Sequence, residues 1–319
     1  MFDWAWADAY RRHGFDYYPK LVNAIPFTPA TGKRWGIDDA YSIPEIIEEL
    51  QLAIHNEAHE KDFSSCHILF LTEKNRQQWN NKKWLARVGY QYHWFNNDHT
   101  DKKYYSDFND FLSTMSSRKR KNIRKEREKI VHQGISLTIK TGDQLSLKEW
   151  QQFHHFYQST YYKRSGHQGY LSPSFFPVLA KAMGESIIVI QAFDQSDNMG
   201  EEKNKNNSDW VAAALCFKDS ETLYGRYWGC ADDYDGLHFE ACYYQGIEYA
   251  IKHKLIRFDP GAQGEHKIQR GFTPITTHSS HWIEHTEFSQ AIARFLTQEE
   301  KEVQQYLLAA AEHLPFKKE

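Results

Sequence analysis

The segment Leu223-Tyr-Gly-Arg-Tyr-Trp-Gly229 is followed by His238-Phe-Glu-Ala-Cys-Tyr-Tyr-Gln-Gly-Ile-Glu-Tyr249 and by Phe258-Asp-Pro-Gly-Ala-Gln-Gly-Glu-His-Lys267. Together they read as strand, helix, strand and loop. Strict alternation in the first puts Leu223, Gly225, Tyr227 and Gly229 on one face and Tyr224, Arg226 and Trp228 on the other. A guanidinium flanked by two rings on one sheet face suits a polar ligand better than a packed core. An exposed strand face covered by a loop would carry the same pattern. In the helix, Phe239, Cys242, Tyr243, Gly246, Ile247 and Ala250 share the inward face, which leaves Glu240 to one side. Ligands of open α/β sheets gather at strand ends, where these segments can converge.

Working outward, residues 21–27 read as a short strand. Ser42-Ile-Pro-Glu45 starts a helix to about residue 59, and residues 67–71 form an apolar strand. A helix over 75–86 and a strand over 88–95 complete an α/β lobe. A long helix is expected from 106 to 132. Its second half, Arg118-Lys-Arg-Lys-Asn-Ile-Arg-Lys-Glu-Arg-Glu-Lys129, holds eight basic residues against two acidic. The pattern then restarts: a strand at 135–139, helices at 146–163 and 174–183, and apolar strands at 187–193 and 210–217, typical of a sheet covered on both faces. Residues 194–209 between these strands are polar and read as a loop. A strand at 222–229, a helix at 237–254 and a strand at 255–259 follow. The domains predicted are 1–105, a basic linker helix 106–133, and 134–319.

The 319 residues suffice for two domains. A hydrophobic content of 40% and a charged content of 25% fit a folded protein, and a net charge of −3 removes any global basic field for nucleic acid. Binding to RNA would have to use a local patch. Cys66, Cys216, Cys230 and Cys242 show no paired spacing, so reduced thiols in the cytoplasm are expected. No apolar run reaches membrane-spanning length and no signal pattern begins the chain.

Acyl transfer to an amine needs a base, donors for the developing oxyanion and positioning of both substrates. Glu240 or Glu265 is a candidate base, with His266 as a second candidate. Arg226, Lys267 and Arg270 could hold an anionic part of a substrate, and Tyr224, Trp228, His238, Tyr243 and Gln263 could wall its pocket. Each carboxylate could equally be a cap or ion-pair partner, and Arg226 could pair with Glu240. Arg120, Arg124 and Arg127 fall on one helix face as a track for phosphates, or simply belong to a solvated helix. His55-Asn-Glu-Ala-His59 lacks the order of a zinc helix; His278, His281 and His285 lie on a surface strand or loop, and no metal is expected. Cys242 reads as packing rather than a nucleophile.

The second half follows the strand and helix order of GNAT acyltransferase domains. Leu112 to Glu126, ending at Gly134 before a strand, resembles the linker of FemAB-like acyltransferases. Phe2-Asp-Trp-Ala-Trp-Ala-Asp-Ala-Tyr10, Pro19-Lys-Leu21, Pro26-Phe-Thr-Pro29, Leu237-His-Phe-Glu240 and Pro260 to Lys267 extend the likeness over nearly the whole chain. They resemble a bacterial family of N-acyltransferases linked to peptidoglycan biosynthesis or recognition. The resemblance implies an α/β fold of tandem GNAT-like domains with mixed sheets flanked by helices. It also implies acyl-coenzyme A or aminoacyl-tRNA as co-substrate, with no tightly bound cofactor and an amine acceptor related to the cell wall. Such families continue upstream of the aromatic N-terminal motif, so an incomplete first lobe is expected. The GNAT coenzyme A turn is here Gly229-Cys-Ala-Asp-Asp-Tyr-Asp-Gly236, whose three aspartates repel a diphosphate. The alternative is a noncatalytic protein that recognises a peptidoglycan precursor or RNA. Oligomeric state is not fixed by the sequence.

Overall fold

The computed structural model describes residues 3–79, 83–97, 104–195, 210–262 and 264–317. The chain divides into two compact units, residues 1–91 with 274–312 and residues 92–273 with 313–319.

In the first unit, α1 (Trp4–Arg12), β1 (Leu21–Asn23), α2 (Ile43–Glu60), β2 (Ser65–Leu71), α3 (Glu73–Gln78) and the start of β3 (Leu85–Phe95) come in order. The second unit adds α4 (Phe108–Ser113), α5 (Ser117–His132), β4 (Ile135–Thr141), α6 (Leu147–Ser165), α7 (Phe175–Met183), β5 (Ile187–Asp194), β6 (Trp210–Lys218) and β7 (Thr222–Cys230). A short α8 (Leu237–Phe239) continues through a π-helical turn, Glu240–Tyr244, into α9 (Gln245–Lys252), and β8 (Arg257–Asp259) and a 3-10 helix, Glu265–Arg270, follow. Finally β9 (Thr273–Ile283) and α10 (Thr286–Glu312) return the chain to the first unit.

The expected division into 1–105, 106–133 and 134–319 differs from these units in two ways. The basic helix α5 is part of the second unit, with Ile123 and Ile130 buried and Ile130 packed among Ile135, Ala212 and Leu237. And β9 pairs antiparallel with β2, His67 opposite His281, a contact across more than two hundred residues that no local pattern announces. The helix expected over 106–132 breaks at Met115, which bridges to Phe316, while Ser116 N–H donates to the Pro315 carbonyl (2.9 Å). The helix expected over 75–86 ends at Gln78, and the strand expected over 21–27 ends at Asn23.

In the second unit β4, β5, β6 and β7 form an antiparallel meander, and β8 lies parallel to β7. This is the strand and helix order expected of a GNAT-like domain. Trp150, Phe153, Phe156, Tyr157 and Phe176 of α6 and α7 cover one face, and Leu237 and Ala241 the other, so β5 and β6 are buried on both sides as their apolar runs required. Gly229 lets α6 press onto β7: a Cβ there would stand 2.3 Å from the Phe156 carbonyl oxygen.

The first unit encloses charge. Asp3, Tyr17, His67 and His281 are buried together. Tyr17 donates to Asp3 (2.6 Å) and contacts His67 Nε2 (3.0 Å), Lys20 pairs with Asp3, and His67 Nδ1 meets His281 Nδ1 at 2.9 Å. Only one of the two facing nitrogens can carry a hydrogen, and burial disfavours the second proton that would charge either ring. Burial first, then the nearby Lys20 charge, lowers His67 to about 3; burial and His67 drive His281 well below its ordinary value. His281 therefore lies in the core of this unit rather than on a surface strand.

Because folding depresses both imidazoles, their contribution is fully present above pH 6.5 and is lost as pH falls toward 3. At roughly 1.4 kcal/mol per pH unit of withheld protonation, urea titrations at stepped pH should show unfolding stability falling steadily over that range. A flat profile from pH 6.5 to 4 would contradict the neutral pair. Gly229→Ala should cost about 1–3 kcal/mol through overpacking, read as a lower urea midpoint; an unchanged midpoint would mean α6 does not press on β7 as described.

Candidate active site

The register of β7 determines which side chains meet. Tyr227 lies opposite Leu215 but Gly225 lies opposite Cys216, so Arg226 is an extra residue, a β-bulge. A bulge interrupts the alternation on which the sequence reading rested. Gly225 faces Phe258 and Pro260, whereas Gly229 faces Phe156 on the α6 side. Tyr227 joins the α6 core, and Trp228 packs toward Leu237 and Ala241. Tyr224, Arg226 and Trp228 therefore do not form one face. The Tyr224 hydroxyl is committed to Asp219 in the β6–β7 turn (2.8 Å), and the Arg226 guanidinium lies 4.6 Å from the Tyr227 ring.

Trp228 instead meets His238, with rings 5.5 Å apart. The His238 ring is 5.3 Å from Tyr243 and 6.4 Å from His266. The Tyr243 hydroxyl and His266 Nε2 are hydrogen-bonded at 2.8 Å. His266 is exposed and its ring lies over Gly264, where a Cβ would stand 2.2 Å from Cε1; that glycine has φ +111°. Burial, His266 and Arg164 lower His238 to about 4, and burial, Arg270 and Lys267 lower His266. Both are neutral at neutral pH. Burial raises the Tyr243 phenol, which keeps its proton.

The loop that carries His266 is fixed from below. Asp259, at the end of β8, accepts from the Gly261 N–H (2.9 Å), and Lys267 Nζ donates to the Gly261 carbonyl (2.6 Å). His93 Nε2 lies 3.5 Å from the Asp259 carboxylate. Burial raises Asp259 to about 6 and lowers Lys267 to about 8. Lys267 is thus a buried clamp on the loop rather than a ligand for a substrate anion. Arg270 is also spent internally: it donates to the His266 carbonyl (2.8 Å) and Glu126 (2.9 Å) and lies 3.6 Å from the Phe239 ring.

Glu240 is not an available base. It is buried and bound by Arg127 (2.8 Å) and Gln245 (2.8 Å), while Arg127 also pairs with Glu248 at 2.7 Å. The π turn helps, because its extra residue per turn aims both Glu240 and Tyr244 at α5; Tyr244 bonds Glu126. Arg127 is therefore an ion-pair anchor and not part of a phosphate track, and Glu240 does not pair with Arg226. Arg120 makes long contacts to Met115 and Ser117, whereas Arg118, Lys121, Arg124 and Lys125 form the exposed basic stripe. Glu265 is exposed on the same 3-10 helix as His266, and Gln263 lies outside the described residues.

Sequence reasoning missed Arg164, exposed near the end of α6. One turn earlier on the same face, Thr160 donates to the Trp228 carbonyl (2.8 Å). It also missed Asp259 and His93, although an aspartate ending a strand before Pro-Gly is a readable signal. Cys242 is half-buried, and desolvation pushes its thiol well above the ordinary range. Among the described residues no group of three His, Cys, Asp or Glu side chains could hold a metal, and no helix is long and apolar enough to cross a membrane.

The solved structure of FemX resembles the chain with a TM-score of 0.50 at 12% identity, over 85% of each chain. That of L-PGS from Bacillus licheniformis also gives 0.50, at 10% identity, over 80% of this chain and 77% of the other. At such identities the likeness is one of fold. No curated protein matches the sequence. The model of a family described by peptidoglycan biosynthesis and recognition matches residues 1–318. With two α/β units, a GNAT-like strand order in the second and that match over nearly its whole length, the chain belongs to the FemAB-like family.

Proposed function

We propose that the chain transfers an acyl or aminoacyl group to an amine acceptor, a cell-wall precursor in keeping with the family, and that His266 is the base. The observation that carries this reading is an exposed, neutral imidazole whose Nε2 is held at 2.8 Å by a phenol, beside a second neutral imidazole at the ends of β7 and β8. In this reading Nε2–H donates to Tyr243, and Nδ1 takes the proton that the amine sheds as its nitrogen attacks the donor carbonyl. The carbon–oxygen or carbon–sulfur bond to the leaving group then breaks, and the leaving group receives the proton from His266. His238 and Trp228 line the approach, and Glu265 remains a neighbouring carboxylate on the rim.

Two features favour aminoacyl-tRNA over acyl-coenzyme A as donor. Asp232 and Asp233 are exposed in the turn before α8, where a diphosphate would have to sit. The exposed stripe of Arg118, Lys121, Arg124 and Lys125 suits a nucleic-acid backbone. A noncatalytic reader of a cell-wall precursor is the second reading, favoured by the closed Glu240–Arg127 pair that removes one acid from the chemistry.

His266→Asn should lower kcat by about a hundredfold or more while leaving urea stability within error. The wild-type rate should fall as pH drops through a value below 6.5. Glu240→Gln should instead cost about 2–4 kcal/mol of stability by breaking a buried pair. An unaffected turnover in His266→Asn would contradict the assignment of the base, and a protein with no turnover on any donor would favour the binder. For the donor, replacing Lys121 and Arg124 with Ala should weaken tRNA binding and reduce the slope of log affinity against log salt by about two; an unchanged slope would remove tRNA.

A further inference from the structure

Between α1 and α10, wholly within the first unit, lies a cavity of about 440 Å³ that the transfer reading does not use. Ala5 and Ala9 of α1 and Ala291 of α10 line it, and their small side chains leave the space between the helices unfilled. Trp6 and Ile292 lie between them, and Phe15 and Phe295, 47% and 50% exposed, line the same space. From Ala5 to His13 the helix rise gives the groove a length of about 12 Å. Its volume and apolar walls are those of a pocket for a small molecule. Large rings left half exposed beside such a pocket mark a surface that a ligand covers.

One end of the groove is polar. The rings of His13, Phe15 and His285 gather around Phe288 at 5.6, 5.7 and 5.0 Å, and Phe15 lies 4.7 Å from His285. His13 Nδ1–H donates to the Ala9 carbonyl (2.8 Å), so the neutral ring keeps a lone pair on Nε2. His285 Nδ1 is buried with no hydrogen-bond partner, a cost that a ligand N–H would remove. Glu287 lines the rim, and Glu284 stands near enough to raise the Tyr10 phenol, whose ring stacks on Phe288 at 4.0 Å. The nearby cations are answered elsewhere. Arg11 and Arg12 pair with Asp8, and Arg87, 5.3 Å from the Trp6 ring, pairs with Glu299. The charge left at this end is therefore negative. Aromatic rings attract a cation, and a carboxylate beside them answers its charge, whereas an anion of the same size would meet repulsion.

We propose that this cavity is a ligand site for a small organic amine, its ammonium at the Glu287 and His285 end and its apolar tail along the alanines of α1 and α10. The site stands on the geometry of the first unit and does not rest on His266 or on the transfer reading. The test uses the full chain carrying 13C-methyl alanine, titrated in turn with hexylammonium, hexanol and hexanoate. With hexylammonium the methyls of Ala5, Ala9 and Ala291 should shift and saturate together, while Ala213 in β6 stays fixed. Hexylammonium should bind at least about fivefold tighter than hexanol, and hexanoate should bind more weakly than either. Glu287→Gln, at an exposed position, should remove most of the preference for the cation. Ala291→Leu should fill the groove and abolish the Ala5 and Ala9 shifts. Shifts that do not saturate in the wild-type protein, or that are as large at Ala213, would overturn the site, whatever the folding of the variants. Hexanol or hexanoate binding as tightly as hexylammonium would overturn the choice of a cation.

Discussion

Between Leu215 and Cys216, β6 faces three residues of β7, and the extra residue is Arg226. The side of the sheet that Arg226 reaches, and its separation from Trp228, depends on that one insertion. Without it, Arg226 and Trp228 would share a face, and an arginine flanked by aromatics would stand beside His238. With it, the strand delivers Trp228 to the wall of His238, Tyr243 and His266, and Arg226 with Tyr227 to the opposite wall formed by α6. Bulges re-aim side chains where a sheet must serve a site, and the unpaired residue of the ladder is here the one charged group on the strand.

The charges that look most chemical in the sequence are mostly structural. Arg127 joins Glu240 and Glu248, Arg270 joins Glu126, and Lys267 ties down Gly261, so a basic helix and an acidic helix hold each other and the loop that presents His266. Replacing one member of a buried pair strands the other, which makes such groups poor candidates for roles that require losing or gaining a proton. His266 and His238 differ in kind. Burial and neighbouring cations keep them neutral, and a neutral imidazole with a free lone pair is what amine deprotonation requires. Asp259 and Lys267, whose burial moves their values to about 6 and about 8, serve this arrangement by fixing the backbone beneath it.

The fold was largely legible. The apolar runs at 187–193 and 210–217, the helix start at Ser42, and the strand, helix and strand around residues 223–259 all correspond to elements of the structure. Long-range order was not. The return of β9 to β2 depends on pairing His67 with His281, and the role of α5 depends on Ile123 and Ile130, two apolar residues lost to view among eight basic ones. At the site, His238, Tyr243, His266 and Trp228 do come together, while Tyr224 and Arg226 do not join them. The reason is physical: alternation is reliable only while the ladder is regular, and a bulge leaves no mark in composition. Glu240 was misread because a π turn shifts the helix face by one residue, and Arg127 because its partners lie over a hundred residues away.

The account stands on the side of the sheet to which each β7 residue points, and nuclear Overhauser contacts in the labelled protein measure that directly. Cross-peaks should link the Trp228 indole to the His238 imidazole and the Arg226 side chain to the Tyr227 ring, with none between Arg226 and His238. Cross-peaks joining Arg226 to both Trp228 and His238 would show an unbroken strand and contradict the separation of the two walls.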